Sequence, residues 1–119
     1  MHWIVVAAIY GGLAVTAGAF GAHGLRERLA PDQLSAWNTA AQYQLMHSVV
    51  LLGLGLYSSS SGRSVNLSGS LFALGVLLFS GSIYLLVLTS MRWLGPVTPI
   101  GGLLMIAAWG SLVLLGRPS

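Results

Sequence analysis

The chain contains no cysteine and no lysine, and it carries almost no charge. Without cysteine there are no disulfides, no thiolate nucleophile and no Cys-ligated zinc or iron–sulfur centre. Without lysine the glycines cannot be completed into a phosphate-binding loop. Charged residues are 6 % of the 119 positions, against about 25 % in an ordinary soluble domain. They are Arg26, Glu27, Arg28, Asp32, Arg63, Arg92 and Arg117. So few cannot coat a surface that faces water, and lipid is the expected solvent. The net charge of +3 comes from arginines scattered between apolar runs. That pattern excludes a nucleic-acid-binding patch and fits the flanks of membrane spans.

What the chain has is hydrocarbon: 55 % of it is apolar. A spanning helix needs about 20 largely apolar residues, and four stretches meet or approach that length. They cover about 3–24, 40–57, 67–90 and 98–115. None shows the alternating polarity of a transmembrane barrel. The expected fold is therefore all-α, a single-domain integral membrane bundle of four transmembrane helices. The first run has no Lys or Arg before it and exceeds the core of a signal sequence, so it reads as a retained helix. Four spans place both termini on one side. Three arginines on the first and third connections, against two on the other side, favour those connections being cytoplasmic.

The connections carry boundary signals. Pro31 and Asp32 mark the start of the second helix, with Asp32 as its cap. That helix begins outside the bilayer, and Trp37 and Tyr43 fit a headgroup belt. Ser58 to Ser70 reads as a polar loop in which Asn66 or Ser68 caps the third helix. Met91 to Val97 is a tight connection, after which Thr98 caps and Pro99 opens the fourth helix.

Several residues stand out against this background. Ala14, Gly18 and Ala22 lie on one face of the first helix, as do Ala7 and Gly11. Together with Gly21, and with Gly101 and Gly102 in the fourth helix, they are candidates for close helix packing. That packing serves either the bundle itself or a homo-oligomer or another membrane protein. His23 lies where a histidine can bond the last free carbonyls of a helix. Thr39, Tyr43 and His47 recur every four residues as a polar stripe, bordered by Gln44 and Gln42. Polar groups are costly in lipid, so this stripe should turn inward. Ser80, Ser82 and Tyr84 face it from the third helix. Tyr84 is about 12 Å before Arg92 and His47 about 15 Å beyond Trp37 at the helical rise, which makes them partners in depth. With Thr98 these residues gather in one half of the bundle, and the other half reads as almost wholly apolar. The group serves either as a polar packing core or as a one-sided pocket.

Four strings, GAFGAHGL (18–25), WNTAAQYQLMHS (37–48), FSGSIY (79–84) and GPVTPIGG (95–102), occur in order along the chain. In them the protein resembles the small bacterial membrane family called domain of unknown function 423. The positions that carry the resemblance are Gly18, Gly21, His23, Gly24, Gln42, Tyr43, His47, Gly81, Ser82, Tyr84, Gly95, Pro96, Pro99 and Gly102. The resemblance implies a four-helix protein of the plasma membrane and no established activity.

These observations lead to a non-enzymatic membrane protein with an interaction, assembly or envelope-support role. Its partners would be membrane lipids and another membrane protein or a second copy of itself. No catalytic residue, metal, cofactor or nucleic acid is assigned. The alternative is a binding or transport protein for a lipid or small molecule, with its pocket between His47, Tyr84 and the start of the fourth helix. An enzyme or redox accessory built on His23 and His47 ranks last, since two histidines do not complete a metal site.

Overall fold

The computed structural model describes residues 2–117. Among them are four α-helices: α1 (Trp3–His23), α2 (Pro31–Ser61), α3 (Asn66–Thr89) and α4 (Val97–Gly116). A 3-10 turn, Arg92–Leu94, precedes α4. α1, α3 and the segment containing α4 are each long and apolar enough to cross a membrane. α2 is longer and more polar, and geometry fixes its course. The Trp3 indole bonds Asn66 at the start of α3, and Tyr10 bonds Ala73 further along. α1 and α3 therefore run parallel, and α2 must return across the same thickness between them.

Helix boundaries depart from the sequence signals in instructive ways. Ala30, not Asp32, is the N-cap of α2, with Pro31 in the first turn. Alanine has no side-chain acceptor, so only the return half of a capping box forms: Ala30 N–H donates to Gln33 Oε1 at 3.1 Å. Asp32 lies inside the first turn, where its charge complements the helix dipole. The serine-rich loop shrinks to residues 62–65 because Ser60 and Ser61 donate their hydroxyls back to the Tyr57 carbonyl and continue the helix. Gly62, with φ 73°, then ends it in the left-handed conformation. Neither Asn66 nor Ser68 caps α3, and Thr98 does not cap α4. All three side chains bond across helices instead, which matters more in a medium without water.

The packing is the reverse of a soluble core. Leu13, Leu77, Leu103, Ile106 and Val113 face outward, while the interior is rich in Ala7, Ala14, Ala40, Ala41 and Ala108. α1 packs along α2, α4 packs along α3, and α2 against α3 joins the two pairs. The closest approach is between α3 and α4. A methyl group on Gly75 would stand 2.9 Å from the Met105 backbone nitrogen, and one on Gly101 would run into the Phe79 backbone. α1 and α2 close in the same way where Gly55 meets Ile4, and Gly69 of α3 receives the Trp3 ring. One end holds the apolar core, with Trp3, Leu51, Leu54, Val65 and Phe72 at its centre. The other end, next to the first connection, holds most of the polar groups.

Gly101→Ala should pry α3 from α4 and destabilise the protein by about 1–3 kcal/mol. Gly110→Ala, with nothing within 4 Å of the new methyl, should be neutral or stabilising by up to about 1 kcal/mol through helix propensity. Thermal unfolding of both variants in one detergent measures the difference. Equal melting temperatures would show that the two backbones are not in contact.

Candidate functional site

The α2 face that turns inward carries Trp37, Ala40, Ala41, Gln44, His47, Ser48, Leu51 and Leu54. Among them Trp37, Ala41, Gln44, Ser48 and Leu51 fall at alternating spacings of four and three, one side of a helix. Gln44 is its hub. Its Nε2 donates to the Tyr10 carbonyl and its Oε1 accepts from the Tyr84 hydroxyl, both at 2.8 Å. The Tyr10 hydroxyl in turn donates to the Ala73 carbonyl at 2.8 Å. One amide thus pins α1, α2 and α3 at a single level. One level outward, the Trp37 indole donates to the Ala17 carbonyl at 2.7 Å, and its ring lies 4.7 Å from that of Tyr84.

His47 belongs to a different group. Its Nδ1 is 2.7 Å from the Tyr43 carbonyl, which can only accept, so Nδ1 carries the proton. Nε2 is then free to accept from the Trp109 indole at 3.2 Å. The ring is neutral and ties α2 to α4, with Phe72 packed against both aromatics. The expected His47–Tyr84 pairing does not form. The depth match fails: His47 packs on Phe72, which precedes Tyr84 on α3 by about 18 Å at the helical rise, whereas the Tyr84 ring lies beside Trp37.

The remaining candidates divide in the same manner. Ser80 donates to the Ala40 carbonyl, joining α3 to α2. Ser82 and Thr98 are bonded to each other at 2.5 Å, joining α3 to α4. Gln42 and Tyr43 are exposed and flank the inward face rather than forming it. The Thr39–Tyr43–His47 stripe therefore does not turn inward as a unit, because the true face is centred on Gln44. His23 is exposed, and the Phe20 carbonyl near the end of α1 is taken by the Gly24 and Leu25 amides. In α1, Ala14 and Gly21 are buried, and Gly21 packs on Trp37 and Asn38. Ala22 is exposed and Gly18 has no neighbour for a side chain, so the buried seam repeats by sevens from Ala7 rather than by fours. In α4, Gly101 is at the crossing and Gly102 only borders it. The single pocket expected between His47, Tyr84 and Thr98 is thus three separate interhelical contacts.

Sequence reasoning put Gln44 only at the border of the stripe and passed over Tyr10, Trp3 and Trp109. Gln44 was legible from its register with Trp37 and Leu51. Tyr10 is the only hydroxyl in the first half of an apolar run. Trp3 and Trp109 were hidden because an indole N–H gives no periodic signal. The supposedly apolar half also contains bonds, Ser68 to Ser111 at 2.7 Å and Arg63 to the Tyr57 hydroxyl and the Leu115 carbonyl. Among the described residues, no buried side-chain nitrogen or oxygen lacks a partner, and no three metal-ligating side chains stand together.

Beside the Gln44 hub lies a cavity of about 350 Å³. Leu13, Thr16, Ala17 and Phe20 form its α1 wall; Val76, Leu77, Gly81 and Tyr84 form its α3 wall. Trp37 and Gln44 of α2 are its floor. Leu13, Thr16, Phe20 and Leu77 are exposed, so the cleft opens sideways to the hydrocarbon. The donors on its floor are already bonded within the protein, which leaves an apolar groove.

Gln44→Leu should leave the Tyr84 hydroxyl unpaired and remove the tie to the Tyr10 carbonyl, which keeps its helical bond, and lower stability by about 1–3 kcal/mol. Tyr84→Phe should cost less, about 0.6–1.7 kcal/mol for one intramembrane bond. The double variant should be no worse than Gln44→Leu alone, because the two share one interaction. Unfolding free energies of the three proteins in detergent form the cycle; strict additivity would break the proposed link.

Residues 17–102 match the family described as "Protein of unknown function (DUF423)". The chain is similar to a UPF0382 membrane protein of Staphylococcus haemolyticus, at 45 % identity over 94 % of this chain and 92 % of the relative. It is similar also to those of Staphylococcus saprophyticus, at 44 % over 94 % and 93 %, and Staphylococcus aureus, at 43 % over 94 % and 92 %. No solved structure matches it. A lipid-facing helical bundle whose polar groups are bonded inward, matched along most of its length to these relatives, is a membrane protein and belongs to the DUF423 family.

Proposed function

We propose that this protein works by association within the plasma membrane, as an assembly or envelope-support component that performs no covalent chemistry. The observation that carries this reading is the outer face of α1. Ala8, Gly12, Thr16 and Ala19 are all exposed there, at spacings of four, four and three. Gly12 has nothing within 4 Å of where a side chain would begin. The Thr16 hydroxyl donates back to the Gly12 carbonyl at 2.8 Å, so the stripe offers no unpaired donor to lipid. A face of small residues lets a second helix backbone approach closely, which is how helices associate in hydrocarbon. This stripe is opposite the buried seam of Ala7, Ala14 and Gly21, so internal packing does not account for it. Its partner is a transmembrane helix, from a second copy or from another membrane protein.

The commitment of the buried polar groups to one another supports the same reading. Gln44, His47, Ser80 and Ser82 are each bonded to a neighbouring helix or turn, which makes them determinants of packing rather than reactants.

Gly12→Leu tests the proposal, since it fills the stripe while touching nothing in the fold. Cross-linking in native membranes should show association falling at least about fivefold, or roughly 1 kcal/mol. The melting temperature should stay at the wild-type value. If the wild type neither self-associates nor captures a partner, or if Gly12→Leu associates equally well, the reading fails.

A further inference from the structure

We infer that the cleft between α1 and α3 holds one acyl chain of an anionic phospholipid, with the lipid phosphate at the arginines beyond the cleft's outer end. The α1 wall of the cleft adjoins the association stripe and shares Thr16 with it, but the other walls are α2 and α3, so this inference does not rest on the association reading.

The first argument is length. Along α1 the cleft runs from Tyr10 to Phe20, ten residues or about 15 Å at the helical rise. The hydrocarbon core of a bilayer is about 30 Å thick, so the cleft spans one leaflet, from near the midplane to the headgroup level. The second argument is width. A hydrocarbon chain about 5 Å across, the width that carbon contacts impose, fills about 300 Å³ over that length. The cavity is about 350 Å³. A helix about 10 Å across needs on the order of 1,200 Å³ over the same distance, so a second copy or a partner helix does not fit inside. The third argument is access. The mouth opens to lipid along its side, and a chain enters without leaving hydrocarbon.

Charge selects the headgroup. Just beyond Phe20 the chain folds into a hydrogen-bonded turn in which the Arg28 and Leu29 amides donate to the Leu25 carbonyl. Arg26 and Arg28 are exposed on that turn, and Arg92 is exposed where α3 ends on the same side. Glu27 and Asp32 lie at this end as well, and Asp32 sits in the first turn of α2, where the helix dipole favours it. Three guanidiniums against two carboxylates leave the end positive. At the opposite end Arg63 is turned inward to Tyr57 and Leu115, and Arg117 is exposed after α4, but the cleft does not reach that end. The cations available to a phosphate at the cleft's own outer end are Arg26, Arg28 and Arg92, and each arginine near an anionic lipid adds about a fivefold preference.

Gly81 provides the test. It lines the cleft from α3, and a side chain there would first meet only Leu77 Cδ1 at 4.0 Å. Gly81→Phe should fill the cleft and leave the fold intact. Leu77→Trp, at an exposed lining position, is the second filling variant. The full chain is purified in mild detergent, stripped of lipid and offered phosphatidylglycerol or phosphatidylcholine, and bound lipid is counted by native mass spectrometry. Melting temperatures establish that each variant is folded. The wild type should hold one phosphatidylglycerol per chain, preferred at least about fivefold over phosphatidylcholine. Both filling variants should lose it. Arg26→Gln/Arg28→Gln should erase the preference while still binding a chain, and Gly110→Ala, outside the cleft with nothing within 4 Å of the new methyl, should bind like the wild type. Equal binding of the two lipids by the wild type would overturn the anionic assignment. Undiminished lipid on a folded filling variant would overturn the site.

Discussion

Lipid surrounds a helix with hydrocarbon as apolar as any protein interior, so burying leucine cannot hold this bundle together. Cohesion must come from two other sources: backbones brought close enough for dense van der Waals contact, and polar groups whose only alternative is to go unpaired in hydrocarbon. The architecture follows from that constraint. Gly75 and Gly101 let α3 and α4 touch along their main chains, and Gly55 and Gly69 give the same closeness to α1. Between these crossings, side-chain bonds tie neighbouring helices level by level, from Trp3–Asn66 at one end to Trp37–Ala17 at the other. Most of the large aliphatic side chains, such as Leu13, Leu77, Leu103 and Ile106, are left outside, where they meet lipid.

How much of this was legible in the sequence depends on what kind of signal each feature leaves. Apolar length is a bulk property, so α1, α3 and α4 could be read within a residue or two of their ends. α2 was legible from its apolar 40–57 stretch and the start signal at Pro31, but its amides and serines dilute its hydropathy and its last turn read as loop. Small residues show where close packing is possible but not which face uses it. The first helix carries alanine and glycine on two sides, and only the structure separates the buried Ala7–Ala14–Gly21 seam from the exposed Ala8–Gly12–Ala19 stripe. Polar residues are the hardest case. A serine or asparagine near a helix start reads as a cap, yet Asn66, Ser68 and Thr98 bond other helices. In water a cap competes with solvent. In lipid a cross-helix bond has no competitor, and propensities learned from soluble proteins mislead.

The two ends of the molecule solve the constraint differently. At the end near Asn66, large rings and branched chains fill the space between helices, with Phe72 and Leu51 fully enclosed. At the end near the first connection, hydrogen bonds hold the helices at set distances and the space beside them is incompletely filled. Gln44 and Tyr84 act there as struts. Their bond keeps α2 and α3 together, and the Gln44 bond to α1 is made through the Tyr10 main chain, which fixes the helix without supplying a side chain to plug the gap. A cleft next to a polar hub is the natural outcome, since directional bonds set positions that dense packing would otherwise have closed.

This arrangement gives α1 an unusual place in the bundle. Its side-chain bonds to α3, from Trp3 and Tyr10, both lie in the half away from the first connection. In the other half its hydrogen-bonded tie is to α2, through Trp37. The same stretch of α1 that forms one wall of the cleft therefore has a small-residue face beside that wall, meeting it at Thr16, and only one neighbour to steady it. Whatever fills the cleft adds contacts to Leu13, Ala17 and Phe20 and restrains that half of the helix. A restrained helix loses less conformational freedom when a partner docks against Gly12. By thermodynamic reciprocity, docking at the stripe must then favour occupancy of the cleft by the same factor. Two sites on adjoining faces of one lightly held helix are coupled through that helix, without any change in the packed end of the bundle.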